Sequence, residues 1–255
     1  MRLMRFGLAA VLVCLAVVAG VAPALAGSTG NPQWQVGGAI LKSAETKEIS
    51  LTGSGSQKFK TSELTVACSG ASLEAGSHIT GGVGATPGTG TERIIYSGCV
   101  IQKTTTEEVI PGCKVNSTGA TAGTVKTEKL TATLGYATTL AAESETPNTV
   151  TDLKPETGSS FLQLELSGES CPFPGNGKYN IEGEVAMKNL EGSTEKTKHT
   201  AEAPSTSVKV FFLNNGGLPK EEKVKTLKIS SLANGAYVGS VIGTPSPEAG
   251  WAAVN

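Results

Sequence analysis

Side chains that do chemistry are scarce in this 255-residue chain. It has two histidines, His78 and His199, and one aspartate, Asp152. A nucleophilic triad needs an imidazole beside a serine or cysteine and an acid to orient it, so any Ser-His-Asp set would have to use Asp152 with one of the two histidines. No Gly-x-Ser-x-Gly elbow is present. With so little aspartate the usual calcium loop is excluded, because it stacks several Asp or Asn within a dozen residues. No two cysteines share a Cys-x2–4-Cys spacing, which removes the common zinc sites, so no cofactor or metal is expected. Aromatics make up 5% of the chain, and a core would claim most of Trp34, Tyr96, Phe173, Tyr237 and Trp251 before any could serve as a stacking platform. Arginine is nearly absent too: beyond residue 26 only Arg93 remains.

The first 26 residues have a basic start (Arg2, Arg5), an apolar run from Phe6 to about Ala22, and the small-residue ending Ala24-Leu25-Ala26. This is the layout of a secretory signal peptide, with cleavage expected after Ala26 and no membrane span thereafter. Cys14 lies inside the apolar run behind Val11-Leu12-Val13, which does not suit lipid attachment. The expected mature chain, 27–255, has 19 Lys plus Arg (21 less Arg2 and Arg5) against 22 acids, a net charge near −3. Without a basic excess, nucleic acid is not an expected partner.

Four cysteines remain, Cys68, Cys99, Cys113 and Cys171, and an even count in an exported chain predicts two disulfides with three connectivities open. Arg93–Val115 contains two apolar runs around a polar Thr/Glu loop, each run with one cysteine, so a hairpin closed by Cys99–Cys113 is the preferred pairing. That leaves Cys68–Cys171. The chain-entropy model assigns these loops roughly 3 and 4.7 kcal/mol.

Helical periodicity is almost absent, whereas short apolar alternations recur between turn signals, and 53 Ser and Thr with 32 Gly suit strands and turns. An all-β fold is expected: a β-sandwich or related two-sheet antiparallel domain with two disulfides. Residues 34–41 read as a Gly-interrupted strand, with short candidates at 48–52 and 57–61. Leu64, Val66 and Cys68 form one strand face; Leu130, Ala132, Leu134 and Tyr136 form another. The stretch 141–159 reads as loop with a short strand at 149–153. Leu162, Leu164 and Leu166 alternate with Gln163, Glu165 and Ser167, and Tyr179, Ile181, Val185 and Met187 with Asn180, Glu182, Glu184 and Lys188. Residues 191–207 are either a linker or a hairpin tip, and 208–255 is small for an independent core, which favours one domain. Asn234-Gly235 between two strand-like runs predicts a hairpin turn. Trp34 and Trp251 are expected to pack at one end and bring the termini together.

The candidate site residues are few. The Gly-rich stretch 81–90 runs into a strand rather than a helix, so a phosphate cradle is not expected. Asn116-Ser117-Thr118 matches a glycosylation acceptor. Strand glutamates Glu165, Glu182 and Glu184 are the carboxyls a glycoside hydrolase would need, although their alternation puts them on a solvent face. Phe173, held between Pro172 and Pro174, is a candidate binding aromatic. Arg93 is the second binding candidate, since its fork of donors can hold a carboxylate.

The ordered series strand-Cys68, Gly-rich loop, Ser97-Gly98-Cys99-Val100, Cys113-Lys114-Val115 and Cys171-Pro172-Phe173 resembles uncharacterised secreted bacterial β-rich proteins with four cysteines, over about residues 60–190. The resemblance implies an exported β-rich layout and carries over no activity or site. The function expected from the whole reading is a secreted, non-enzymatic structural or ligand-binding protein of the cell envelope or extracellular space, meeting an envelope glycan or surface protein. A secreted hydrolase acting on envelope polysaccharide and an adhesin or self-assembling envelope component are the alternatives.

Overall fold

The computed structural model describes residues 30–61, 64–83, 85–137, 149–171, 177–189, 199–203, 209–213, 219–223, 227–229, 236–246 and 251–254. The expected signal peptide, Phe173, the Asn234-Gly235 turn and most of 191–207 lie outside them, as do the side chains of His199, Tyr237 and Trp251.

The described residues contain strands and no helix. In chain order they are β1 (Gln33–Val36), β2 (Ala39–Ile40), β3 (Thr46–Glu48), β4 (Ser50–Lys60), β5 (Leu64–Leu73), β6 (His78–Thr80), β7 (Thr89–Glu92), β8 (Ile94–Ser97), β9 (Val100–Lys103), β10 (Lys114–Asn116) and β11 (Val125–Lys126). They continue with β12 (Leu130–Ala137), β13 (Thr149–Pro155), β14 (Ser160–Ser167), β15 (Gly177–Glu182), β16 (Val185–Asn189), β17 (His199–Ala203), β18 (Lys209–Leu213), β19 (Pro219–Lys223), β20 (Lys228–Ile229), β21 (Ala236–Ser246) and β22 (Trp251–Val254).

All pairings between strands are antiparallel and build three sheets. A 15-stranded sheet runs β11-β8-β5-β4-β21-β17-β16-β13-β12-β7-β6-β3, with β9 on β5, β18 on β12 and β19 on β18. A four-stranded sheet has the order β10-β14-β15-β20, and a three-stranded sheet the order β2-β1-β22. The large and four-stranded sheets share one core: Leu64, Val66, Tyr96, Ile101, Leu130 and Leu153 from the first, and Phe161, Leu162, Leu164, Leu166 and Ile181 from the second. The architecture is therefore all-β and sandwich-like, with burial of the alternating apolar faces as its main source of stability. A second, smaller cluster gathers Trp34, Leu41, Ile49, Ile79, Leu134 and Ala253 where β1 meets β22. Trp34 stands opposite Ala253, so the two ends of the described chain do come together.

Several local expectations change. Residues 34–41 are not one strand: Gly37 and Gly38, at φ 60° and 85°, make a two-residue turn that folds β2 back on β1. The segments 48–52 and 57–61 are largely one strand, β4, whose pairing with β5 shifts register between Ser54 and Gln57. The 149–153 candidate extends to Pro155 and is buried from Thr149 to Leu153, because β13 has β12 on one side and β16 on the other. The alternating run from Tyr179 to Lys188 is two strands in two sheets: β15 stays with β14, and β16 crosses to β13. The runs beside Asn234-Gly235 also part, since β20 pairs with β15 while β21 pairs with β4 and β17.

The disulfides are Cys68–Cys99 and Cys113–Cys171, which overturns both expected pairs. Of the predicted hairpin only the tip forms, because β9 pairs with β5 and β10 with β14 rather than with each other. Gln102 bridges Val109, and the Ile110 N–H donates to the Ile101 carbonyl at 2.9 Å. Its cysteines lie beyond the paired part, however, and each belongs to another ladder. β8 and β9 continue one another along β5, from Leu73↔Ile94 through to Leu64↔Lys103, and the shared register sets Cys99 opposite Cys68 with Cα atoms 3.9 Å apart. Cys113 enters β10, which pairs with the end of β14, and the turn after β14 returns Cys171 to it, with Cα atoms 4.8 Å apart.

Candidate functional site

An organised set of polar side chains in the described residues lies on the outer face of the four-stranded sheet. Alternation along β14 and β15 sends Leu162, Leu164, Leu166, Tyr179 and Ile181 to the core, and so turns Gln163, Glu165, Lys178 and Asn180 the other way. Pairing then aligns Asn116, Glu165 and Lys178 across β10, β14 and β15. Glu165 Oε1 accepts from Lys178 Nζ at 2.8 Å and from Thr118 Oγ1 at 3.0 Å, and Oε2 accepts from Asn116 Nδ2 at 3.2 Å. Thr118 Oγ1 also lies 2.5 Å from Gln163 Oε1, so its one proton chooses between the two acceptors. In the neighbouring row Gln163 Nε2 donates to Asn180 Oδ1 at 3.1 Å. The bond from Lys178, aided by Thr118, holds the Glu165 carboxyl below the usual carboxylate range.

The acceptor tripeptide 116–118 straddles this face. Asn116 and Thr118 point outward, whereas Ser117 is buried between them. Ser117 Oγ accepts from the Lys126 N–H at 2.7 Å, and its hydroxyl reaches the carbonyls of Lys126 and Gln163 at 3.1 and 3.0 Å. This hydroxyl fastens the β10–β11 turn to β14 and sets the height of the outer row.

Glu165 and Glu182 share the sheet but not a reaction geometry. Lys178 is opposite Glu165, and Glu182 lies four residues further along β15, about 13 Å away at the strand rise. Glycoside hydrolysis uses carboxyls about 5–10 Å apart. Glu184 lies past the end of β15.

Arg93 sits between β7 and β8 and already holds a carboxylate of its own chain. Its Nη1 is 3.2 Å from Glu74 Oε2, while Lys126 Nζ is 3.2 Å from Glu74 Oε1. The Arg93 Nε is buried without a hydrogen-bond partner among the described residues. One residue earlier, Glu92 is half-buried opposite Leu130, and burial pushes its carboxyl up to about 7. His78 lies on β6 between Glu48 and Thr91, with Nδ1 3.1 Å from the Gly76 carbonyl. The adjacent Ser77 is buried, and its hydroxyl donates to the Glu74 carbonyl at 2.7 Å. Asp152 is buried on β13 opposite Thr133 and Ala186. Trp34 and Tyr96 are in the core. Among the described residues no group of three or more His, Cys, Asp or Glu is placed to hold a metal ion. No helix among them is long and apolar enough to cross a membrane.

Sequence reasoning singled out Glu165 and Glu182 but missed Gln163, Lys178 and Asn180 as their neighbours. The period-two alternation marked Gln163, Glu165, Asn180 and Glu182 as outward-facing, and only the register shows which of them meet and that Lys178 joins them.

No family model matches this chain, and no curated protein or solved structure matches it.

Proposed function

We propose that this chain is an exported, disulfide-bonded β domain that acts by binding, at the cell envelope or outside the cell, with the outer face of β10, β14 and β15 as its contact surface. The observation that carries this reading is the aligned set Asn116, Thr118, Gln163, Glu165, Lys178 and Asn180 on an open sheet face. Amide, hydroxyl and carboxylate groups in such rows offer both donors and acceptors to a polar chain lying across the strands. An envelope glycan, which has hydroxyls of both kinds along its length, suits that array. Two disulfides support an oxidising compartment, in keeping with the apolar leader read from the sequence.

The test is retention of the purified mature protein on insoluble cell-wall glycan, compared with the variant Gln163→Ala/Glu165→Ala. Retention of the natural chain and its loss in the variant, with the melting transition kept, is the expected result. Retention by neither protein, or equally by both, would sink the proposal.

A further inference from the structure

The loop between β9 and the Gln102–Val109 bridge has an unusual fastening. Thr105 to Val109 are all exposed, so packing does little to hold them. Yet Thr65, on the outward side of β5, is 2% exposed. Its Oγ1 lies 2.9 Å from Thr104 Oγ1. The loop therefore folds down over the large sheet and covers that position. Glu107 makes the fastening. Its carboxylate reaches Lys58 Nζ at 2.8 Å and Lys60 Nζ at 3.5 Å, two residues that share one face of β4. To do so the backbone turns left-handed at a residue with a side chain, φ 57°, and the Glu107 N–H donates to the Lys103 carbonyl at 2.8 Å. A conformation that L-residues avoid persists only where its surroundings impose it.

We infer that residues 104–109 are a strap held shut by charge, with Glu107 as its catch and Lys58 and Lys60 as the keepers, and that it opens as a unit while the sheet beneath stays folded. Segments with few buried apolar contacts and exposed hydrogen bonds open with the least free energy. On this strap the polar contacts are local: besides the two lysines, Glu107 has only Lys103 and Glu108 near it as charged neighbours within the loop, and those two pair with each other at 3.6 Å. The strap's roots are of another kind. Ile101 and Ile110 are in the main core, and Cys113 is disulfide-bonded, so opening stops at the bridge. An open strap uncovers Thr65 and frees two lysines side by side on β4.

Amide hydrogen exchange on the full folded protein tests this. The reporters are the Glu107 amide in the strap and the Lys103 amide at its root, bonded to the Glu108 carbonyl of the strap, and the Cys99 and Thr127 amides, bonded to the carbonyls of Gly123 and Ile94, in the sheets. The variants are Glu107→Gln and Lys58→Met/Lys60→Met, which remove the charge and keep most of the side chain. Exchange of the strap amides about tenfold faster, with the sheet amides unchanged, is the expected result. The natural chain in about 1 M salt, where the screening length falls to about 3 Å, should move the same way and remains informative if a variant fails to fold. Unchanged strap amides in salt and in the variants would overturn the strap, and acceleration of strap and sheet amides together would show that it does not open separately.

Discussion

Cys68 and Cys99 are direct cross-strand neighbours, and the residues after one and before the other mirror each other: Cys68-Ser69-Gly70 runs antiparallel to Ser97-Gly98-Cys99. Each glycine therefore faces a serine. A Cβ on Gly98 would lie 2.2 Å from Ser69 Oγ, and one on Gly70 would lie 2.7 Å from Ser97 Oγ. The paired strands also change which side faces the core here. Buried positions run Val66, Cys68, then Ala71 on β5, and Ile101, Cys99, then Tyr96 on its partner. A disulfide next to this bend fixes the register on both sides of it.

The connectivity is checked by non-reducing peptide mapping, which should recover the peptide with Cys68 linked to that with Cys99, and Cys113 linked to Cys171. The closed loops span 31 and 58 residues of sequence separation, for which the chain-entropy model gives about 4 kcal/mol each. Replacing Cys68 and Cys99 together by Ala should lower the urea midpoint by a corresponding amount. A loss below about 1 kcal/mol would mean that the ladder keeps its register without the bond.

Gly98→Ala should cost about 2–3 kcal/mol, since the new Cβ meets Ser69 and the backbone sits at φ 62°. Adding Ser69→Gly relieves the contact and leaves the conformational cost, so the double variant should recover part of the loss. Full recovery would show that the positive φ costs nothing, and no recovery would show that the serine was never the obstacle.

The pH dependence centres on Glu92. Burial raises its folded-state pKa from 4.5 to about 7. In that window the folded chain binds the proton more tightly than the unfolded chain, so this group's contribution is fully present below pH 4.5 and declines as pH rises towards 7. Glu92→Gln should flatten the fall in stability between pH 4.5 and 7, by up to about 3 kcal/mol, with its largest gain above pH 7. Urea unfolding of both proteins across that range makes the comparison, and parallel curves would contradict the assignment.

How much was legible depended on the range of the interaction. Alternation in Leu130–Tyr136 and Leu162–Ser167 reports one strand's two faces, and both segments bury the residues it indicated; off that phase Gly135 is buried too, and Phe161 is buried beside Leu162 where the register slips between Ser160 and Leu162. Alternation is blind to a change of sheet, so the run through Gly183 read as one strand. Arg93 looked free to bind a carboxylate, but Glu74 supplies one from 19 residues away in sequence. The fastening of the Thr/Glu loop is equally distant in the chain, since Glu107 takes its bond from Lys58, 49 residues earlier.

The sequence by itself determined that this is a β protein with four cysteines beyond residue 26 for two bridges, an apolar run near its start, too few His and Asp for the common metal and triad sites, and outward polar positions on its strands. Those properties follow from composition and from a period of two, both local. Which cysteines pair, which glutamate meets which lysine, and where one strand leaves a sheet for another were decided by tertiary structure. They depend on register between strands distant in the chain, and a shift of one residue leaves every local pattern intact while exchanging every cross-strand partner.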